Sequence, residues 1–587
     1  MGYFILVWTC LTIICVVIGT ALLNIVRANC FDSRSNYFIA AFWLGLIILC
    51  IALLATSLIL PLSTAVGAAI AFGLNAFSLL SYKARTTILK MLTGLTPGLI
   101  LGFFVLAMAV ALLITPEMTW FDTGVYHLGA IKWLSEFGAV PGVSLINPKF
   151  GFTSSWFALA APLTPKVFGN RIGAITNGFI FLIAIVQLLI CLIKILDNKA
   201  RLSDWFLLSF FSIVISVYTL KISTSPIVVS FTADIAITFL IGITAWFMLI
   251  ISGNHQSSYQ SSIRQTNICQ TKPSPLDARI IPLILSCGAV TLKLSAFALL
   301  PAAFLYYVCD EKISIQRVIW GIATVIVLLL PMLSFGVITS GCPLYPSTLM
   351  CLDTPWLVTE QQANVEAGNV QFWWKLVDED ISGFNYLILG FLRWLQGSIN
   401  SQIMIVLIVL SFILAIQILR LSNDDNFRGY IWLITIGFLG MSFIMIQGPL
   451  IRFGLGYFIL ISSLSLARYG QLKFAKTQSS PTHPFSLLRQ WRRPSKLILL
   501  GSLLLLGSTG AMVGDGKIQS RLLLPPELPN VNIEASRVND IEYVYPLYPF
   551  YKACWASKLP CAPSPIEQNI KLRKPSQGLG AGFIQAK

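Results

Sequence analysis

Apolar runs long enough to cross a bilayer recur along almost the whole sequence, and this leaves few folds open. A hydrocarbon core about 30 Å thick is spanned by roughly 20 apolar residues in a helix. Inside lipid the backbone N–H and C=O groups must pair within the segment, so such runs are helices. They fall at about 3–26, 38–60, 63–80, 94–115, 172–193, 203–221, 234–252, 281–308, 317–339, 400–419, 429–447, 453–467 and 497–514. The run 3–26 is too long for the apolar region of a signal peptide and lacks a basic segment before it, so it reads as a span. Composition agrees. Of 587 residues, 56% are hydrophobic and 11% charged, whereas a soluble domain carries about 25% charged residues. The expected fold class is an all-α polytopic membrane protein with about 13–14 transmembrane segments.

The net charge of +16 would point to nucleic acid in a soluble protein. Here the cations gather in short loops between spans, as the cytoplasmic bias of Lys and Arg predicts, and no nucleic-acid partner is expected. Lys83, Arg85 and Lys90 mark one side; Lys194, Lys199 and Arg201 return to it; so do Arg264, Lys272 and Arg279, and the cluster from Arg468 to Lys496. With these in the cytoplasm, the loops 116–171 and 340–399 and the tail 515–587 lie outside. That assignment needs the segment 281–308 to enter and leave on the same side. Twenty-eight residues are too few for two full crossings, so the sequence predicts two short half-helices meeting near Thr291-Leu292-Lys293. Such breaks are tolerated where they line a polar cavity, and they often mark sites.

Of the twelve Cys, five (Cys10, Cys15, Cys50, Cys191 and Cys287) lie within apolar runs, where the residue acts as a small hydrophobe. They make no metal-ligand pattern, and no cofactor is expected. Cys554 and Cys561 differ: they sit in the polar tail, spaced for a small loop, and form a disulfide if that tail is extracytoplasmic.

Four positions carry chemistry by type and place. Asp122 opens the segment Phe121-Asp122-Thr123-Gly124-Val125-Tyr126-His127 in the first outer loop. A carboxylate there suits a general base or a metal ligand, and Tyr126 shares its helix face at i+4. A plain N-cap at Asp122 is the bland alternative, and His127 more often satisfies a local hydrogen bond. Asp234 begins a helix from the outside, either as a cap or as a second acid in the same cavity. Lys293 lies within apolar sequence, where a cation is costly and a functional candidate by default, unless it snorkels to the interface. Arg452 stands in a very short outer turn, where no cation is expected. Lys293 and Arg452 together suit a phosphate at the membrane surface. The aromatic residues of the loop after 339, Tyr345, Trp356, Trp373, Trp374 and Trp394, fit an interfacial belt. Asp378, Glu379 and Asp380 read as a solvated patch.

The stretches Phe121-Asp122-Thr123-Gly124-Val125-Tyr126-His127 through Pro141-Gly142, Leu292-Lys293-Leu294-Ser295-Ala296, Pro343-Leu344-Tyr345-Pro346-Ser347, Arg452-Phe453-Gly454 and Cys554-Trp555 through Cys561 resemble those of a family of bacterial multi-pass membrane proteins. Through topology, the outer-loop acid and the Lys in a broken helix, the chain in turn resembles the GT-C superfamily of membrane glycosyltransferases. That resemblance implies a bacterial inner-membrane enzyme working on its extracytoplasmic face. It would move a sugar from a polyprenyl-phosphate donor to an acceptor hydroxyl. Asp122 would be the base, Lys293 and Arg452 the donor-phosphate contacts, Asp234 a supporting acid, and Tyr126, His127 and Tyr345 substrate contacts. It also implies an N-terminal module over 1–93, a GT-C-like core over 94–467, a basic loop and last helix over 468–514 and an outer tail over 515–587. Many superfamily members carry paired acids in this loop. Here Asp122 is followed by Thr123 and the nearest acid is Glu117, so a divalent metal is not implied. A transporter or flippase for a polysaccharide or lipid-linked precursor, and a non-catalytic assembly subunit, are the alternatives.

Overall fold

The computed structural model describes residues 1–28, 31, 33–220, 227–260, 276–310, 313–370, 384–421, 426–477, 502, 521–547 and 552–586. Eighteen α-helices fall within them: α1 Gly2–Ile25, α2 Arg34–Ser57, α3 Thr64–Leu80, α4 Tyr82–Leu92, α5 Pro97–Ile114, α6 Leu128–Glu136, α7 Ser155–Ala160, α8 Ile175–Leu196, α9 Leu202–Leu220, α10 Asp234–Gln260, α11 Ile280–Leu292, α12 Leu299–Cys309, α13 Ile315–Ser340, α14 Glu360–Val370, α15 Phe384–Gly397, α16 Ile399–Leu421, α17 Phe427–Gln447 and α18 Ile451–Thr477. Two hairpins follow, β1 Ile533–Val538 with β2 Ile541–Pro546, and β3 Ile570–Leu572 with β4 Phe583–Gln585, both antiparallel.

Ten of these helices are long and apolar enough to cross a membrane, and the fold is that of a mostly helical protein with many candidate spans. They match ten of the thirteen apolar runs. The other three runs differ for separate reasons. The run 63–80 forms α3, which turns by 101° into α4 at Ser81. Ser81 is extended and caps α4 through its hydroxyl, and the Lys83, Arg85 and Lys90 that follow keep α4 from continuing an apolar span. The run 281–308 is broken, as its length demands. The run 497–514 lies outside the described residues except for one position, as do Trp373, Trp374 and the acids 378–380.

The break at 293 is a hairpin. Lys293 leaves helical geometry for an extended conformation at φ −165°, and a single 3-10 turn over Leu294–Ala296 leads into the second half. At 1.5 Å per residue, halves of 13 and 11 residues reach roughly 20 and 16 Å, well short of a bilayer core. Their far ends meet. Arg279, before α11, lies 3.5 Å from Asp310, after α12. Asp277 bonds Arg317 of α13 at 2.6 Å, and Asp310 accepts from Trp432 Nε1 and, through its carbonyl, from Arg428 of α17. One polar clamp thus gathers the ends of α11, α12, α13 and α17, leaving Lys293 at the opposite end of the bundle. The Lys194–Asp204 pair and its bond to Asn36 join α8, α9 and α2.

At the Lys293 end, loops and tail form a cap with its own apolar cluster. Trp133, Val143 and Phe150 of the first loop pack there with Cys342, Tyr345 and Val358 of the second, and with Ile541, Tyr543, Ile570 and Phe583 of the tail. The tail is therefore no separate appendage. Met1 donates to the Arg521 carbonyl, Phe583 N–H to Pro141, and Ile172 N–H to Pro526. A disulfide links Cys554 and Cys561, as their spacing suggests. A second one, Cys342–Cys351, closes the turn after α13; both its cysteines sit beyond the apolar run 317–339, in the polar loop.

The helices at the centre approach closely. The apolar window of α10 is entirely buried. Helices α1 and α2 cross with glycines facing backbone: a Cβ at Gly45 would lie 1.8 Å from the Cys15 carbonyl oxygen, whereas one at Gly73 on α3 meets nothing within 4 Å. Backbone cannot yield as a side chain can. Gly45→Val is therefore expected to cost about 3 kcal/mol or more and to lower the thermal midpoint of the detergent-purified protein clearly. Gly73→Ala, measured alongside, leaves that midpoint essentially unchanged.

Candidate functional site

The site assembles where four segments of the chain meet beneath the cap. Asp122 lies in the first loop, Asp234 at the start of α10, Lys293 at the tip of the α11–α12 hairpin and Arg452 at the start of α18. Arg452 Nη1 donates to Asp122 Oδ2 at 3.1 Å. Lys293 Nζ is ion-paired to Asp234 Oδ1. The two pairs share a ring: Phe453 has Lys293 Nζ 4.1 Å and Arg452 Cζ 5.0 Å from its centroid. Arg452 also lies 5.4 Å from the centre of Trp120. Such cation–ring contacts hold a cation in place without neutralising it. The Asp234 side chain is 2% exposed, while those of Asp122, Lys293 and Arg452 are 28–33% exposed. Three of the four charges can be reached, and Asp234 anchors them from within.

Each placement has a local cause. Residues 123–127 form a single π-turn ahead of α6. A π-turn widens the backbone by one residue and recurs at functional sites. The Asp122 carboxylate makes no cap bond to this turn, so the simple N-cap reading fails and the carboxylate is turned to Arg452. Asp234 is not the cap of α10 either. Thr232 accepts from Asp234 N–H at 3.4 Å and donates from its own hydroxyl to Asp234 Oδ2 at 2.9 Å, leaving Oδ1 for Lys293. Lys293 does not snorkel away; the break in the helix aims it at Asp234.

Tyr126 and His127 complete the wall. His127 is 1% exposed, with Nδ1 3.1 Å from the Thr123 hydroxyl and its ring 5.1 Å from that of Phe157. Burial, then the nearby Lys293 and Arg452 charges, hold its pKa well below the usual 6.5, so the imidazole is neutral. Burial, reinforced by the Asp122 and Asp234 carboxylates, pushes the Tyr126 phenol up, so it acts as a hydrogen-bonding hydroxyl. Tyr345 is set apart. It is 2% exposed within the cap cluster and reaches the site only through a chain of rings, Tyr345 to Phe152 at 5.6 Å and Phe152 to Tyr126 at 6.2 Å. The half-buried Trp356 is tied to the same region, its indole donating to the Val337 carbonyl. Beside Tyr345, Lys149 and Glu366 form a further ion pair at 2.8 Å.

Phe453, Trp120, Thr232 and the Lys149–Glu366 pair were not singled out from sequence. Thr232 was legible as a hydroxyl two residues before an acid at a helix start; a ring shared by two cations from distant segments carries no such local sign. Among the buried side-chain atoms without a protein hydrogen-bond partner are the Trp120 indole N–H and the Ser295 hydroxyl, at a cost of about 1–3 kcal/mol each. Among the described residues, no group of three or more His, Cys, Asp or Glu side chains is placed to hold a metal ion.

The His127 environment has a pH signature. Its folded pKa lies below its unfolded value of 6.5, so below that pH the unfolded chain takes up a proton that the folded chain refuses. Its contribution to stability is present above about pH 6.5 and is lost as pH falls further. Thermal melts at pH 7.5 and pH 5.0 are expected to show a larger acid-side loss for the native protein than for His127→Gln; equal losses would remove His127 as a source of acid sensitivity.

No curated protein and no solved structure matches the chain. A family model described as Domain of unknown function (DUF8201) matches residues 1–459. That match takes in the bundle from α1 into the start of α18, including all four charged residues of the site, and the chain belongs to the DUF8201 family.

Proposed function

We propose that this protein is a membrane glycosyltransferase of GT-C type that moves a sugar from a polyprenyl-phosphate donor to an acceptor hydroxyl on the extracytoplasmic face. The observation that carries the reading is the meeting of Asp122–Arg452 and Asp234–Lys293 around Phe453, at a helix break beneath a loop-and-tail cap. Two accessible cations a few ångströms from one ring suit a lipid phosphate. The reachable carboxylate beside them suits an incoming hydroxyl. Sidedness is supported by two features. Both disulfides belong to the cap end, and disulfides persist in oxidising compartments. Arg279, Arg317, Arg428 and Lys194 sit at the opposite end, which fits a cytoplasmic side.

The chemistry then asks little of the protein beyond placement and electrostatics. Arg452 and Lys293 hold the donor phosphate, and a phosphate at Arg452 competes with Asp122 for the guanidinium. Asp122 takes the proton of the acceptor hydroxyl as its oxygen bonds to the anomeric carbon. The bond from that carbon to the phosphate oxygen breaks, and polyprenyl phosphate leaves with the electron pair. Asp234 keeps Lys293 oriented, and Tyr126 offers a hydroxyl to the sugar.

The broken α11–α12 hairpin also fits a transporter of lipid-linked precursors, where half-helices commonly form the site. One assay separates the two. Purified protein is given a panel of labelled polyprenyl-phosphate sugars with candidate acceptors, beside Asp122→Asn and Arg452→Lys. The transferase reading predicts sugar release or transfer that falls about 100-fold or more in Asp122→Asn. In Arg452→Lys, which loses the forked donor geometry, it predicts a raised donor KM. Donor binding without turnover, combined with movement of labelled lipid across a vesicle membrane, would replace it by the transporter.

A further inference from the structure

The turn that carries Asp122 is held by the far end of the chain. Trp555, inside the loop closed by Cys554–Cys561, donates its backbone N–H to the Gly124 carbonyl at 3.0 Å. Its ring lies so close over Gly124 that a Cβ there would meet an indole carbon at 2.5 Å. Only glycine leaves room for it. Lys132, five residues beyond His127, also donates to the Ala556 and Ser557 carbonyls. The loop is anchored in turn: Val544 N–H donates to Pro560 and Ala562 N–H to Val544, joining it to β2. Trp555 itself takes φ +43°, a left-handed conformation uncommon for a bulky residue, which persists only where the surroundings over-determine it.

A π-turn is a rare, single-turn departure from the α-helix, and here the contacts around it come from the tail. Asp122 immediately precedes it and His127 is its last residue. We propose that Trp555 and its disulfide loop are a positioning device for this turn, so that the segment 552–562, which lies beyond the family match at 1–459, is an integral part of the site, and that opening the disulfide releases Asp122 and His127 together. Trp555 acts through the turn rather than on a ligand, and the proposal needs no assumption about the reaction.

Backbone hydrogen exchange read by mass spectrometry tests it on the purified full chain. The Cys554→Ser/Cys561→Ser double variant opens this loop while leaving Cys342–Cys351 intact, which a reductant would not. Exchange over 121–136 is expected to rise about tenfold or more in that variant and in Trp555→Ala. Trp555→Phe, which keeps a ring over Gly124, stays near the native rate, and α10 is unchanged in all three. Lys132→Met, which alters the first loop and leaves the tail sequence intact, is expected to give a smaller rise in the same segment. Unchanged exchange over 121–136 in both the double variant and Trp555→Ala would overturn the proposal. So would a rise spread evenly over the bundle, since the loop would then support the fold at large.

Discussion

A charge among apolar helices costs several kcal/mol unless a counter-charge meets it, and much of this structure follows from how its charges meet. At one end, Asp234 is anchored by Thr232 and faces Lys293 across the bundle, while Arg452 reaches out to Asp122 in a loop. Each pair joins segments far apart in sequence. Truncating one partner would strand the other, and for Asp234, which is almost fully buried, that penalty is the largest. The geometry of α10, α11 and α18 at this end is therefore tied to charge as well as to packing.

The other end makes this possible. Arg279, Asp277, Asp310 and Arg317 bind the two ends of the short hairpin to its neighbours, so that the tip with Lys293 is presented at a fixed depth. Neither half-helix is long enough to reach across a bilayer. The cap closes over the tip with its own apolar cluster and two disulfides. The site thus has a rigid floor of helices and a roof made of loops and tail. A floor that fixes cations and a roof that fixes a carboxylate together suit a ligand that arrives from the membrane plane with a polar head.

Much of this was legible from residues, and the limits have physical causes. The spans were legible because lipid demands long apolar helices, and the hairpin at 293 because positive residues on both sides of 281–308 fix its parity. Asp122, Asp234, Lys293 and Arg452 were legible as charges where charge is costly. Their pairing was not, since nothing local tells Lys293 that its partner is Asp234 rather than Asp122. The π-turn was invisible because it differs from an α-turn by one residue's register. The role of the tail was hidden for another reason: Trp555 and Gly124 are 431 positions apart, and a glycine in a loop has many explanations. Tyr345, grouped with the site by its motif, lies behind Phe152 because its motif builds the cap cluster.

The central claim is that the two cations around Phe453 receive a lipid phosphate. A cryo-electron microscopy structure of the protein saturated with a polyprenyl monophosphate tests it most directly. The account predicts phosphate density within hydrogen-bond distance of both Lys293 and Arg452, the polyprenyl chain leaving sideways between helices, and Asp122 beside the open face of the phosphate. A phosphate bound elsewhere, or lipid excluded while both ion pairs stand as they do here, would contradict it.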